Sequence, residues 1–122
     1  MSTFKVDVLQ SRSGGATTFT GQYTAKAWVN FDGTAVTITP AASGNIGSIT
    51  DNGTGDYTLN ITSALTDGNY SWTTNSSGAS TYSYGLYLTA QAAPTSSALR
   101  LLARNNSGTS SDMLSVNVSI IR

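Results

Sequence analysis

Residues 114–122 read LSVNVSIIR, and this stretch decides the fold class. Leu114, Val116, Val118 and Ile120 occupy every second position and are separated by polar side chains. A period of two is typical of a β-strand with one face in a core and one face in solvent. Similar alternation recurs along the chain, at residues 4–8, 25–31, 36–38, 57–61, 70–72 and 82–88. The sequence therefore predicts an antiparallel, half-buried sheet structure.

Turn residues separate these stretches at short intervals. Asp32-Gly33, Asn52-Gly53 and Asp67-Gly68 are the dipeptides that supply positive backbone angles in tight turns. We predict an all-β fold, an antiparallel β-sandwich (jelly-roll-like) of roughly nine or ten short strands, as a single domain over residues 1–122. Residues 97–104 have apolar spacing that a helix would also accept, and the strand-like flanks favour a strand. The residues that we expect to be buried are Val6, Val29, Leu59, Ile61, Val116 and Val118.

The composition excludes several classes of function. The 122 residues have zero net charge, only 10% of them are charged, and 37 are Ser or Thr. The chain has no Cys, His or Glu, which removes the Ser-His-Asp triad, the Cys-His dyad and the usual zinc ligands. The absence of a basic excess argues against nucleic-acid binding, and the apolar stretches are too short for membrane insertion. We predict no cofactor and no metal, and we expect no secretory leader because residues 1–22 lack its pattern.

Aromatic side chains are the main candidates for contact with a partner or ligand. Trp28 is out of phase with the apolar residues 25, 27, 29 and 31, so it lies on the solvent side of its strand or, if the register differs by one, in the core. An exposed Trp28 would mark a subunit contact. Tyr82 and Tyr84 share one face of a predicted strand, and Tyr87 takes the opposite face. For these tyrosines a role in the core and at a subunit interface is favoured over contact with a saccharide or partner.

The stretch from Asp51 to Asp56 reads DNGTGD and contains closely spaced oxygen ligands. Such spacing suits calcium, but no Glu follows and the loop is shorter than an EF-hand loop. We favour a hairpin turn in which the Asp side chains bind their own backbone. A carboxylate pair for glycoside hydrolysis is less favoured, because one hairpin turn offers no cleft. The chain is therefore predicted to bind and not to be an enzyme.

Several motifs, in order along the chain, resemble those of small bacteriophage tail-fibre-like and virion structural proteins. Residues 25–34, AKAWVNFDGT, resemble the KAWVNF(N/D)GT motif of that family, and residues 48–58, SITDNGTGDYT, match a second motif. Residues 65–70, LTDGNY, resemble an L/M-x-D-x-N-Y turn, and residues 116–122, VNVSIIR, resemble a VNVAIFR terminus. The opening residues 2–10, STFKVDVLQ, are similar to the start of marine and cyanobacterial phage members.

This resemblance implies a β-strand component of a phage particle that is made in the host cytoplasm and located in the virion. The first expectation is a non-enzymatic protein of tail-fibre type that forms a homotrimeric knob for particle assembly or host attachment. Its partners would be other copies of itself, other virion proteins and host surface polysaccharide. The alternative is a capsid decoration, cement or head-fibre protein, which the short chain without a shaft or docking domain favours. Residues 35–39 and 75–97 depart from the family pattern.

Overall fold

The fold consists of two four-stranded antiparallel sheets. The structure is a computed structural model and describes residues 23–78, 87–105 and 107–122, with the side chains of residues 87–89 outside that description. The strands are β1 (Ala25–Phe31), β2 (Pro40–Gly44), β3 (Ile46–Gly53), β4 (Asp56–Ile61), β5 (Ser71–Gly78), β6 (Tyr87–Ala90), β7 (Ala98–Arg104) and β8 (Met113–Ile121). The first sheet has the order β2-β1-β8-β5 and the second has the order β3-β4-β7-β6. Among these residues no helix is long and apolar enough to cross a membrane.

A single hydrophobic core lies between the inner faces of the two sheets. Phe31 of the first sheet and Tyr57 of the second meet edge to face, with ring centroids 5.2 Å apart. The predicted core residues Val29, Leu59, Ile61, Val116 and Val118 are all buried, whereas Val6 lies outside the described residues. The all-β prediction is therefore confirmed, and the two sheets face each other as in a sandwich.

Eight strands are described, fewer than the nine or ten predicted. The predicted strand at residues 4–8 and residues 82–86 of the one predicted at 82–88 lie outside the described residues. The prediction of a strand around Val36 and Ile38 is wrong. Those residues belong to the loop between β1 and β2, which opens with an Asx turn because Asp32 Oδ1 accepts hydrogen bonds from the backbone N–H and the hydroxyl of Thr34. Ile38 packs into the core from this loop, and Val36 is fully exposed.

A second prediction is wrong because β8 contains a bulge. Leu114 was expected to share the buried stripe with Val116, yet it is 50% exposed and Met113 is buried in its place. The pairing with β5 shifts here, because Ser77 pairs with Ser115 while the next residue of β5 pairs with Met113. The extra residue in β8 reverses the direction of the side chains before it. By contrast, the strand predicted at residues 97–104 is confirmed as β7.

Asn45 forms the corner at which the chain leaves the first sheet and enters the second. Its φ of 60° places it in the left-handed region, which Asn tolerates better than most residues. The side-chain amide donates to the carbonyls of Lys26 and Ser63, at 3.0 and 3.1 Å, and its oxygen accepts from the Ser63 N–H at 2.7 Å. The Asn45 carbonyl also accepts from the Thr62 N–H. This corner therefore joins the two sheets through both backbone and side chain.

Candidate functional site

Trp28 projects from the outer face of the first sheet. Along β1, Ala27, Val29 and Phe31 are buried, whereas Trp28 between them is 44% exposed. The alternative in which Trp28 belongs to the core is therefore wrong. An apolar side chain of this size in solvent makes the outer face of the first sheet the leading candidate for a functional surface.

The indole of Trp28 lies across Gly44, its pairing partner on β2. A Cβ added to Gly44 would stand 2.8 Å from Cδ1 and 3.2 Å from Cε2 of the indole, and closer still to Nε1. Real Cβ atoms do not approach other heavy atoms so closely, so only glycine at position 44 leaves room for the ring. The ring therefore rests on the strand backbone, and its other side faces solvent.

A row of amide side chains runs across three strands beside Trp28. Asn30 pairs with Asn117 of β8, and Asn117 pairs with Asn75 of β5. Asn30 Nδ2 donates to Asn117 Oδ1 at 2.7 Å, and Asn117 Nδ2 donates to the hydroxyl of Ser115 at 3.3 Å. Two neighbouring amides are therefore held in fixed orientations on the surface.

The side chains around this row carry no charge. Residues paired directly across a ladder share a face. The outer face so defined comprises Trp28, Asn30, Ala42, Gly44, Ser71, Thr73, Asn75, Ser77, Ser115, Asn117, Ser119 and Ile121. Lys26 lies at the end where β1 begins. The surface thus presents mainly hydroxyls, amides and one aromatic ring, with the aliphatic side chains of Ala42 and Ile121 among them.

The second sheet has an outer face of different character. Arg100 and Asp56 form a two-point ion pair there, with Nε–Oδ1 and Nη2–Oδ2 distances of 2.9 and 2.7 Å. The hydrogen-bonded guanidinium holds the pKa of Asp56 below its usual value. Asn60 Nδ2 donates to the hydroxyls of Ser48 and Thr50, both at 3.0 Å. These polar groups satisfy one another, which makes this face the weaker candidate for ligand contact.

The Asp51–Asp56 stretch forms the tip of the hairpin between β3 and β4, as favoured from the sequence: Asp51 to Gly53 end β3, Thr54-Gly55 is the turn, and Asp56 begins β4. Asp51 Oδ1 accepts a hydrogen bond from the Gly53 N–H at 2.9 Å, and Asp56 is engaged by Arg100. Within the part of the chain that the structure describes, no three His, Cys, Asp or Glu side chains lie close enough together to hold a metal ion. The two carboxylates are therefore accounted for by the turn and the ion pair.

Tyr57 closes one end of the sandwich. Its buried hydroxyl lies 3.2 Å from Asp112 Oδ1 and 3.4 Å from the Gly33 carbonyl, and it accepts a hydrogen bond from the Met113 N–H at 3.3 Å. Asp112 also accepts from the Gly55 N–H at 2.7 Å. Burial raises the pKa of Tyr57 well above its usual value, so the hydroxyl stays protonated. This cluster holds together two turns and the start of β8, a structural role that the sequence pattern did not reveal.

Within the described part of the chain, none of the other predicted contact residues joins the outer face around Trp28. Tyr82 and Tyr84 lie outside the described residues. Tyr87 begins β6 in the second sheet, and its side chain is outside the description. The residues that sequence reasoning missed are Asn30, Asn117 and Gly44, because their importance depends on cross-strand pairing.

No family model, no curated protein and no solved structure matches this chain.

Proposed function

We propose that this chain is a non-enzymatic structural protein of a bacteriophage virion, of tail-fibre type, that serves in particle assembly or host-surface attachment. The observation that carries the proposal is the series of motifs that resemble that family, in order along most of the chain. The motif residues occupy positions with a demanding geometry. Gly33 lies under the buried Tyr57 hydroxyl, Asp51 binds the turn that follows it, and Trp28 occupies the exposed face.

The connectivity supports a jelly-roll-like sandwich as part of this proposal. The last strand, β8, lies between β1 and β5 of the first sheet. The strand before it, β7, lies between β4 and β6 of the second sheet. In chain order the strands pass between the two sheets four times around a common core, at β2–β3, β4–β5, β5–β6 and β7–β8, as in the double-sheet folds of many capsid and lectin domains.

A binding role without catalysis is supported by the positions of the carboxylates. Asp32, Asp51 and Asp67 each accept a hydrogen bond from a backbone N–H two residues further along the chain. Asp56 is paired with Arg100, and Asp67 also with Arg122. A glycosidase needs two carboxyl groups on opposite sides of a sugar, one of them with a raised pKa. Here the pKa values of Asp32, Asp56 and Asp67 are all lowered by their hydrogen bonds.

The homotrimer within this proposal has a candidate contact at the end of the sandwich that Tyr57 closes. Val36 is fully exposed in the loop that follows Gly33, and Leu114 is half exposed next to Met113. These two segments are joined there, because the Gly33 N–H donates to the Met113 carbonyl at 2.8 Å. Two exposed aliphatic side chains at one end of a protein with zero net charge are suited to self-association.

Sedimentation of the purified chain tests the oligomer. We expect a trimer that dissociates when Val36 and Leu114 are both replaced by Asp. Ala64→Asp is the matched control, because Ala64 is exposed in a loop near Lys26, at the other end of β1. A monomeric wild-type protein would contradict the homotrimer.

Analysis of purified virions tests the wider proposal. We expect mass spectrometry to find the chain in washed particles, and immunogold labelling to place it on the tail. Labelling of the head would favour the capsid-decoration alternative. Absence of the chain from particles that are otherwise complete would contradict both.

A further inference from the structure

We propose that the outer face of the first sheet binds an uncharged saccharide, with a sugar ring stacked on Trp28 and its hydroxyls bound by Asn30 and Asn117. The inference gives a ligand class to the attachment role proposed above and rests on that role.

The orientation of Trp28 suits a sugar ring. A pyranose has a face of C–H groups and a rim of hydroxyls, so it binds to a flat apolar surface that is bordered by hydrogen-bonding groups. The indole rests on the backbone at Gly44, which holds it along the sheet and leaves 44% of Trp28 exposed. An aromatic side chain supplies a large contact area with few rotatable bonds, so little conformational entropy is lost on binding.

The polar partners are placed and oriented beside the ring. Asn30 follows Trp28 by two residues on the same face, a separation of about 6.6 Å along a strand. Its amide is fixed by the 2.7 Å hydrogen bond to Asn117, whose own amide reaches Ser115. Each carboxamide has more donor and acceptor sites than these bonds use. A ring on Trp28 would therefore bring its hydroxyls to amides that are already oriented.

The charge of the face selects among ligands. The outer-face residues paired around Trp28 and Asn30 include neither an acid nor a base. A phosphate backbone or a polyanionic glycan would need Lys or Arg to balance its charge, and here Lys26 lies only at the end of the face. The hydroxyl and amide side chains of this face can instead form hydrogen bonds with the hydroxyls of an uncharged saccharide.

The extent of the face suits a short oligosaccharide. Its four strands lie about 4.8 Å apart and have about seven residues each, so the flat outline of the sheet covers roughly 450 Å². A second copy of this chain is the competing occupant, and the oligomeric state of Trp28→Ala distinguishes the two.

The test is binding of the purified full chain to an array of uncharged oligosaccharides of glucose, galactose, mannose and N-acetylglucosamine. Uronic-acid and sulfated oligosaccharides on the same array provide the charged comparison. We expect binding to at least one uncharged probe. Calorimetry with that probe should show that Trp28→Ala binds at least about tenfold more weakly than the wild type. Tyr23→Ala is the matched control, because Tyr23 is an exposed aromatic residue that precedes β1, and it should bind like the wild type.

Two further variants separate stacking from hydrogen bonding. Gly44→Ala displaces the indole without removing a group that would touch the sugar, and Asn30→Ala removes one amide. Both should weaken binding, while circular dichroism and the melting temperature report whether each variant is folded.

The proposal is overturned if no uncharged probe binds, if Trp28→Ala binds with the affinity of the wild type, or if only the charged probes bind. It is also overturned if Trp28→Ala dissociates the oligomer, because a second copy would then cover the face. Saccharide binding by a chain that is missing from virions would refute the proposed function alone. A chain present in virions without saccharide binding would refute this inference alone.

Discussion

Replacing Gly33 by Ala tests whether the end of the sandwich is held as the structure shows. The new Cβ would lie 2.7 Å from Cζ of Tyr57 and 3.0 Å from the Met113 carbonyl oxygen, and closer still to the Tyr57 hydroxyl. Tyr57 is fully buried and hydrogen-bonded on several sides, so it has little room to move. Overpacking of this kind lowers the free energy of unfolding by about 1–3 kcal/mol.

The sign of the effect distinguishes this clash from an ordinary glycine substitution. At an unstrained, open position Gly→Ala stabilises by roughly 0.4–1 kcal/mol, because it restricts the unfolded chain. Gly78 provides that control, since an added Cβ there meets nothing within 4 Å. Urea denaturation at one protein concentration should show Gly33→Ala destabilised and Gly78→Ala unchanged or stabilised.

A double-mutant cycle with Tyr57→Phe sharpens the test. Removing the hydroxyl alone should cost about 1–3 kcal/mol, because the Met113 N–H and the Asp112 carboxylate lose a partner in a buried site. In the double variant the nearest clashing atom is gone. The loss of unfolding free energy in the double variant should therefore be smaller than the sum of the two single-variant losses by about 1 kcal/mol. Additive losses, or a Gly33→Ala protein as stable as the wild type, would refute the reasoning.

Three further outcomes follow from the core, the ion pair and the exposed face. Leu59→Ala should lower the free energy of unfolding by about 2–5 kcal/mol in urea denaturation, because Leu59 is fully buried between the sheets. The pKa of Asp56 is lowered in the folded state, so its contribution to stability is complete above the unfolded pKa of about 3.9 and is lost as the pH falls below it. The urea concentration at the unfolding midpoint should therefore decrease as the pH is lowered below about 4, and this decrease should be less steep in Asp56→Asn. Thr73→Ala, on the exposed face of β5, should change stability by about 0.5 kcal/mol or less.

The strands with the clearest alternation were predictable from the sequence. In β4, and in β1 from Ala27 onward, every second residue is apolar and buried. The errors occurred where local backbone geometry overrides the pattern. Val36 follows the Asx turn at Asp32 and lies in a loop instead of the predicted strand. At the bulge in β8, Met113 is buried where Leu114 was expected to be. Alternation reports which side of a strand a residue takes, but it does not report an inserted residue or a turn.

The candidate site was only partly predictable for a different reason. The exposed position of Trp28 followed from its phase within β1. The roles of Gly44 and Asn117 depend on which strands are neighbours, because they lie 16 and 89 residues from Trp28 in the sequence. No local pattern encodes that pairing.

The central position of β8 has a consequence for how the protein is made. β8 pairs with both β1 and β5, and β1 precedes it by more than 80 residues. During synthesis β1 and β5 would each leave the ribosome with an unpaired edge that is filled only when residues 113–121 emerge. The first sheet would therefore be completed late, and until then its open edges could pair with another nascent chain. A chain shortened before β8 would leave a gap between β1 and β5, which favours aggregation over a smaller native fold.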